Sequence, residues 1–213
     1  PALTRDKASV RRVDNYLQEC AVEKMSLANA VGWDNAWSVS QVHVLEIDGC
    51  KDCWLRDIDS FSPPPAPTSG PGAASHLQSG GVLIRRSKRV TVADSGMHRA
   101  ENRGGGGNGY LFEVRASGEV LFRDVTASHG RHNFIQNWGF GVSGCVWLRV
   151  VSEGGRAWLS KEIDVSVGLS EFHHSLALAN LIDSSQFDDG WSIVNRGSYS
   201  SFAGHTGTQN VMW

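Results

Sequence analysis

Three short segments concentrate the side chains best suited to proton transfer. Ser128-His-Gly-Arg-His-Asn-Phe134 holds His129, Arg131, His132 and Asn133. Glu171-Phe-His-His-Ser175 holds His173 and His174, and Ala203-Gly-His-Thr206 holds His205. Histidine moves protons near neutral pH, and a neighbouring arginine neutralises a substrate carboxylate. His132, His174, Arg131, Arg196 and His205 are therefore the candidate catalytic set.

Aligning Phe112, Phe134, Leu176 and Ile193 as one strand set puts His132 and His174 at equivalent positions. Neighbouring strands lie about 4.8 Å apart, so the two rings would share one small site. Strand alternation puts His132 on the face of Phe134, which reads as core. Arg131, Asn133, His173, Ser175 and Arg196 fall on the opposite face. Glu113 and Arg115 share that face one repeat earlier, extending a binding cleft or simply pairing in solvent. Trp138, Phe140, Trp158 and Trp191 offer platforms for sugar rings or bulk for the core. Glu162 and Asp164 alternate as a carboxylate pair of the kind glycoside hydrolysis uses. The plainer alternative for the histidines is a hydrogen-bonded stack at a sheet edge.

These segments hang on a pattern, apolar-x-apolar-x-Asp/Asn, that recurs along the chain. Its anchors are Leu27, Leu55, Val92, Phe122, Leu148, Leu181 and Trp213, at intervals from 26 residues (122 to 148) to 37 (55 to 92). Alternation marks strands with one buried face, and one strand per such interval marks a repeat architecture. The expected fold is all-β: a parallel β-helix of six to seven coils over residues 20–213, with 1–19 as a partial coil or lead-in. Asp57, Asp94, Asp124 and Asp183 close their strands as a ladder of turns, calcium being the sharper alternative for such carboxylates. Phe61 to Gly81, rich in proline, is a bulging loop within the repeat. Arg103-Gly-Gly-Gly-Gly-Asn108 lacks the spacing of a phosphate loop.

A net charge of −2 with no basic patch argues against a nucleic-acid partner. No apolar run is long enough to span a membrane. Cys50 and Cys53 form a lone C-x-x-C without a second ligand pair, so no zinc pattern is legible. Cys53 occupies an inward position, and a Cys20–Cys50 bridge is the open alternative. The last pattern copy stops at Trp213, which reads as a fragment of a longer chain. An open last coil calls for a capping domain or a second copy.

With Val90-Thr-Val-Ala-Asp94, Val120-Leu-Phe-Arg-Asp124, the Arg-His-Asn-Phe and Phe-His-His-Ser segments and Asn195-Arg-Gly197, the chain resembles the pectate-lyase-like superfamily of right-handed parallel β-helices. Segments of this kind are similar to those of secreted bacterial β-helix proteins. The resemblance covers about residues 20–213. It implies a secreted or cell-surface protein that binds a polysaccharide along one sheet, as a lyase or hydrolase of an acidic glycan. In the lyase version His132 or His174 takes the proton beside a uronate carboxylate, and Arg131 or Arg196 stabilises the charge. Asn133, His173, Glu113, Arg115, Trp138 and Trp191 would bind the substrate. A non-catalytic adhesin, tailspike-like shaft or structural segment is the rival class.

Overall fold

Every strand partner in the two large sheets of this computed structural model is parallel. The structure describes residues 14–139 and 142–213. The platform expected at Phe140 lies outside them, as does most of the 1–19 lead-in.

The first sheet has ten strands. Its spine is β4 (Cys50–Ser60), β6 (Lys88–His98), β8 (Leu121–Ser128), β10 (Val146–Leu148), β16 (Leu181–Asp183) and β20 (Val211–Met212). β1 (Leu17–Gln18) and β2 (Ala21–Leu27) both pair with β4, while β11 (Val151–Glu153) bridges β8 and β17 (Gln186–Phe187). The second sheet runs β3 (His43–Asp48), β5 (Gly80–Arg85), β7 (Tyr110–Arg115), β9 (His132–Asn137), β14 (Ser170–Phe172) and β18 (Trp191–Ser192). From β3 to β10 the chain passes from one sheet to the other at every successive strand. Helix is limited, among the described residues, to α1 (Trp33–Ala36) and α2 (Tyr199–Phe202).

The aspartate pattern reports a corner. Asp57, Asp94 and Asp124 take φ of 54°, 51° and 54°, and bend β4, β6 and β8 midway. Asp and Asn tolerate this left-handed geometry better than other non-glycine residues. Arg149 (φ 50°) and Ser184 (φ 49°) occupy the same corner in later strands, so Asp183 sits one residue early. Asp124 is taken by Arg149, which donates to both of its oxygens at 2.7 Å.

Backbone groups at the turns are satisfied by stacked side chains. Ser87 Oγ accepts from the Cys50 N–H and Ser117 Oγ from the Ser87 N–H, each at 3.0 Å. Asn180 and Asn210 do the same for Cys145 and Asn180 at 2.9 and 3.0 Å.

The core column corrects the anchor phase. Leu55, Val92, Phe122, Trp147 and Ile182 are buried and stand opposite one another, with half-buried Val22 and exposed Met212 in register at the two ends of the column. Leu27, Leu148, Leu181 and Trp213 are not in this column: Leu27 pairs with Ser60, and Trp213 is 90% exposed. Apolar residues occupy both faces of Val146-Trp-Leu148 and Leu181-Ile182, so alternation alone cannot set their phase. Trp147 has more apolar surface to remove from water than Leu148, and its ring stacks on Phe122 at 5.7 Å. Phe112 stacks on Phe134 at 5.4 Å beside it.

The second strand set also shifts. Ser170 stands opposite Trp191, and Glu171 opposite Ile135, so Leu176 and Ile193 do not align with Phe134. An antiparallel hairpin, β12 (Arg156–Ser160) with β13 (Ile163–Val167), separates β9 from β14 and hides the true register. Cys20, Cys50, Cys53 and Cys145 are all free thiols, so Cys20 and Cys50 are not bridged; Cys53 is buried as expected. No helix among the described residues is long and apolar enough to cross a membrane.

Candidate functional site

The outer face of the second sheet carries a cleft of about 360 Å³. Tyr110, Asn137 and His173 lie at its floor strands, with Arg131, Trp138, His174 and Arg196 around them. One wall is Gln41 with Gly105–Gly107; the other is Tyr199 and Ser200 of α2.

Strict alternation fails where the floor begins. Leu111 and Phe112 both belong to the core, so Tyr110 turns outward, and its paired neighbour His132 follows with ring centroids 5.2 Å apart. His132 thus does not share the inner face with Phe134. Asn133 instead is fully buried, donating to Ser152 Oγ at 3.0 Å and Asp189 Oδ2 at 2.9 Å. Gly109 makes the approach feasible: its φ is 74°, and a Cβ there would lie 2.8 Å from the Arg131 backbone nitrogen.

Two buried glutamates organise the charges. Glu113 accepts from His43 Nε2 at 3.1 Å, from Asn137 Nδ2 at 2.7 Å and from Arg115. Burial opposes its ionisation, but hydrogen bonds from His43 and Arg115 hold its carboxyl below the usual range. Glu171 accepts from His173 Nδ1 and, at 2.5 Å, from Arg196 Nη2. Burial again opposes ionisation, and His132, His173 and Arg196 outweigh it, holding Glu171 at about 2. Both carboxylates are therefore charged acceptors, with no proton to give at neutral pH.

The imidazoles follow the opposite logic. Burial pushes His132 and His174 down to about 4, so both are neutral near pH 7. His174 stacks on Trp138 at 4.0 Å and meets Ser200 Oγ through Nε2 at 3.1 Å. His132 and His173 lie 5.9 Å apart by ring centroid, so the close neighbour of His132 is His173, not His174. Burial also raises Tyr110, whose hydroxyl stays protonated.

Of the residues singled out from sequence, Arg131, His173, His174, Arg196 and Trp138 line the cleft. His132 lies beneath it, and Glu113 and Arg115 pair with each other. Trp191 packs edge-on against Trp147 and Phe172 in the core. His205 is exposed, bridged to Asn195, and does not line the cleft. Trp158 packs on Trp33 under Arg103, and Asp164 pairs with Arg156 on the hairpin. Glu171, Tyr110, Gln41, Tyr199 and Ser200 were missed. Glu171-x-His173 repeats the outward Glu-x-basic alternation of Glu113-x-Arg115, which was a readable signal for the first of them.

Arg131 and Arg196 bring two guanidinium groups to the cleft, with His173 and the neutral His174 beside them. The arrangement can hold an anionic ring-shaped ligand by charge, and His174 can accept a proton from it. No protein-family model matches this chain, and neither the curated proteins nor the solved structures contain a match to it.

Proposed function

We propose that this chain is a right-handed parallel β-helix, secreted or displayed at a cell surface, that binds and cleaves an acidic polysaccharide in this cleft. The observation that carries the reading is the grouping of the Arg131 and Arg196 guanidinium groups beside His173 and His174 in one cleft. Right-handed crossovers are the rule where parallel strands are joined across a fold. The chemistry favours elimination over hydrolysis by a carboxylate pair. Hydrolysis needs one carboxyl protonated at working pH, and Glu113 and Glu171 are buried and held ionised.

In the lyase reading His174 accepts the proton beside a uronate carboxylate, and Arg131 with Arg196 stabilises the charge that develops there. The electron pair then forms the double bond as the glycosidic C–O bond on the next carbon breaks, and the released oxygen takes up a proton from water. Trp138 and Tyr199 flank the sugar ring. The test is a panel of acidic glycans assayed for ultraviolet absorbance of a new double bond and for reducing ends. The expected result is absorbance with at least one uronate polymer, falling 100-fold or more, to about the loss expected without a general base, in His174→Ala. Reducing ends without absorbance would favour hydrolysis, and silence with every polymer would remove the enzyme.

A non-catalytic shaft or adhesin is the second reading. It is favoured by the hairpin, where Leu159, Ile163, Val165 and Val167 are 50–72% exposed, an apolar surface of the kind that mediates assembly. Glycan binding that survives His174→Ala in an oligomer would support it.

A further inference from the structure

We propose that His132, Glu171 and His173 form a site for one divalent transition-metal ion, zinc being the best-suited. His132 and His173 each offer a ring nitrogen and Glu171 a carboxylate oxygen, all within 4.8 Å of one another. No other such group of three exists among the described residues.

The second observation is the state of His132. Its side chain is only 10% exposed, and its Nε2 lies 3.3 Å from Glu171 Oε1 without making a hydrogen bond. The other ring nitrogen, Nδ1, contacts the carbonyl of Leu169. A carbonyl only accepts, so Nδ1 carries a proton, and Nε2 is the ring atom that faces the carboxylate. A ring nitrogen and a carboxylate oxygen held this close with no hydrogen bond between them have room for one positive centre, a metal ion or a proton. Two ligands of a tetrahedral ion with bonds of about 2.0–2.1 Å are about 3.3–3.4 Å apart, which is the separation found.

The surroundings match a ligand set. A metal-bound histidine characteristically donates its second N–H to a carbonyl or another oxygen. His132 meets Leu169 O, and His173 Nε2 lies 3.4 Å from Ser200 Oγ. Arg196 occupies Glu171 Oε2 and leaves Oε1 for the ion. Two imidazoles and one carboxylate suit zinc, cobalt or nickel, whereas calcium and magnesium prefer all-oxygen shells. Three protein ligands leave a fourth position for an anion or water. His173 now bonds Glu171 directly and must turn aside to admit the ion. Since His173 also lines the cleft, the ion would add positive charge at its floor beside Arg131 and Arg196.

A second proton on His132 is the competing occupant, and metal titration separates the two. The full chain, stripped with a chelator, is titrated with zinc by calorimetry and with cobalt by absorption spectroscopy, without any glycan. The expected result is one equivalent bound at micromolar concentration or tighter. Cobalt should give the visible bands of a four- or five-coordinate ion with no thiolate charge-transfer band. His132→Gln and Glu171→Gln should weaken binding by more than the roughly 10–100-fold lost with an orienting partner. Should either fail to fold by circular dichroism, Ser200→Ala must still weaken binding several-fold. No stoichiometric binding, a thiolate band pointing to Cys50 and Cys53, or unchanged affinity in folded His132→Gln would overturn the site. Because no glycan is present, loss of the metal site and loss of glycan cleavage are read by separate measurements.

Discussion

Glu171 and Asp189 are both buried carboxylates, yet their surroundings drive them in opposite directions. Burial raises Asp189 to about 6, only partly countered by the Ser152 hydroxyl that donates to it at 2.8 Å. Its folded pKa exceeds the unfolded value near 3.9. The stability it contributes is complete below that value and is lost as pH rises through 6. About two units correspond to about 3 kcal/mol. Glu171 has the reverse sign: its folded value near 2 lies below the unfolded one, so stability present above about pH 4.5 is lost as pH falls toward 2. Urea unfolding from pH 2 to 8 should therefore show Asp189→Asn removing the decline that runs from about pH 4 to just above 6. Glu171→Gln should flatten the acid side. A decline between about pH 4 and 6 left unchanged in Asp189→Asn would contradict the assignment.

At the scale of the strand, register decides which side chains the core receives. Trp147 stands in the column of Phe122 and is 1% exposed, while Leu148 pairs with Arg123 and Asp183. Trp147→Ala should cost about 3–5 kcal/mol, as expected for a large aromatic removed from a core. Leu148→Ala should cost less than about 1 kcal/mol. Chemical denaturation of the two variants checks the phase directly, and equal losses would refute it. A second element, the turn at Gly109, holds Arg131 at the cleft. Gly109→Ala forces a left-handed φ on alanine and a contact of 2.8 Å with Arg131. It should cost about 1–3 kcal/mol and weaken ligand binding beyond what its stability loss explains, as a binding assay on folded protein would show.

Across the whole molecule, the cleft collects segments far apart in sequence: the glycine loop at Gly105–Gly107, the end of β9, the residues after β14, and α2. Its exposed charge is cationic because its carboxylates are buried and paired. Binding of an acidic oligosaccharide should therefore weaken as salt rises from 0.05 to 0.5 M, both being about the range over which screening of exposed charges becomes strong. A neutral oligosaccharide should show no such slope, and Arg131→Ala should reduce the slope for the acidic one. Calorimetry at several salt concentrations measures both, and a slope that Arg131→Ala leaves unchanged would place the ligand elsewhere.

The sequence by itself determined that strands dominate, that they recur at uneven intervals with loops of varied length between them, and that Asp57, Asp94 and Asp124 mark corners. Each follows from local chemistry: alternation of apolar side chains, and the tolerance of aspartate for left-handed backbone. It also brought Arg131, His173, His174 and Arg196 into one region, since each lies beside a strand of the second sheet, although the register within that set was shifted. Tertiary structure alone decided the phase of strands apolar on both faces, where Trp147 and Ile182 displaced Leu148 and Leu181. It also decided the outward turn of Tyr110 and His132, because two consecutive residues, Leu111 and Phe112, enter the core together. Of the partners of Glu171, His173 lies two residues along the same segment, whereas Arg196 and His132 come from other strand ends. Only packing of strands distant in sequence brings these two beside the carboxylate, and no local pattern encodes that distance.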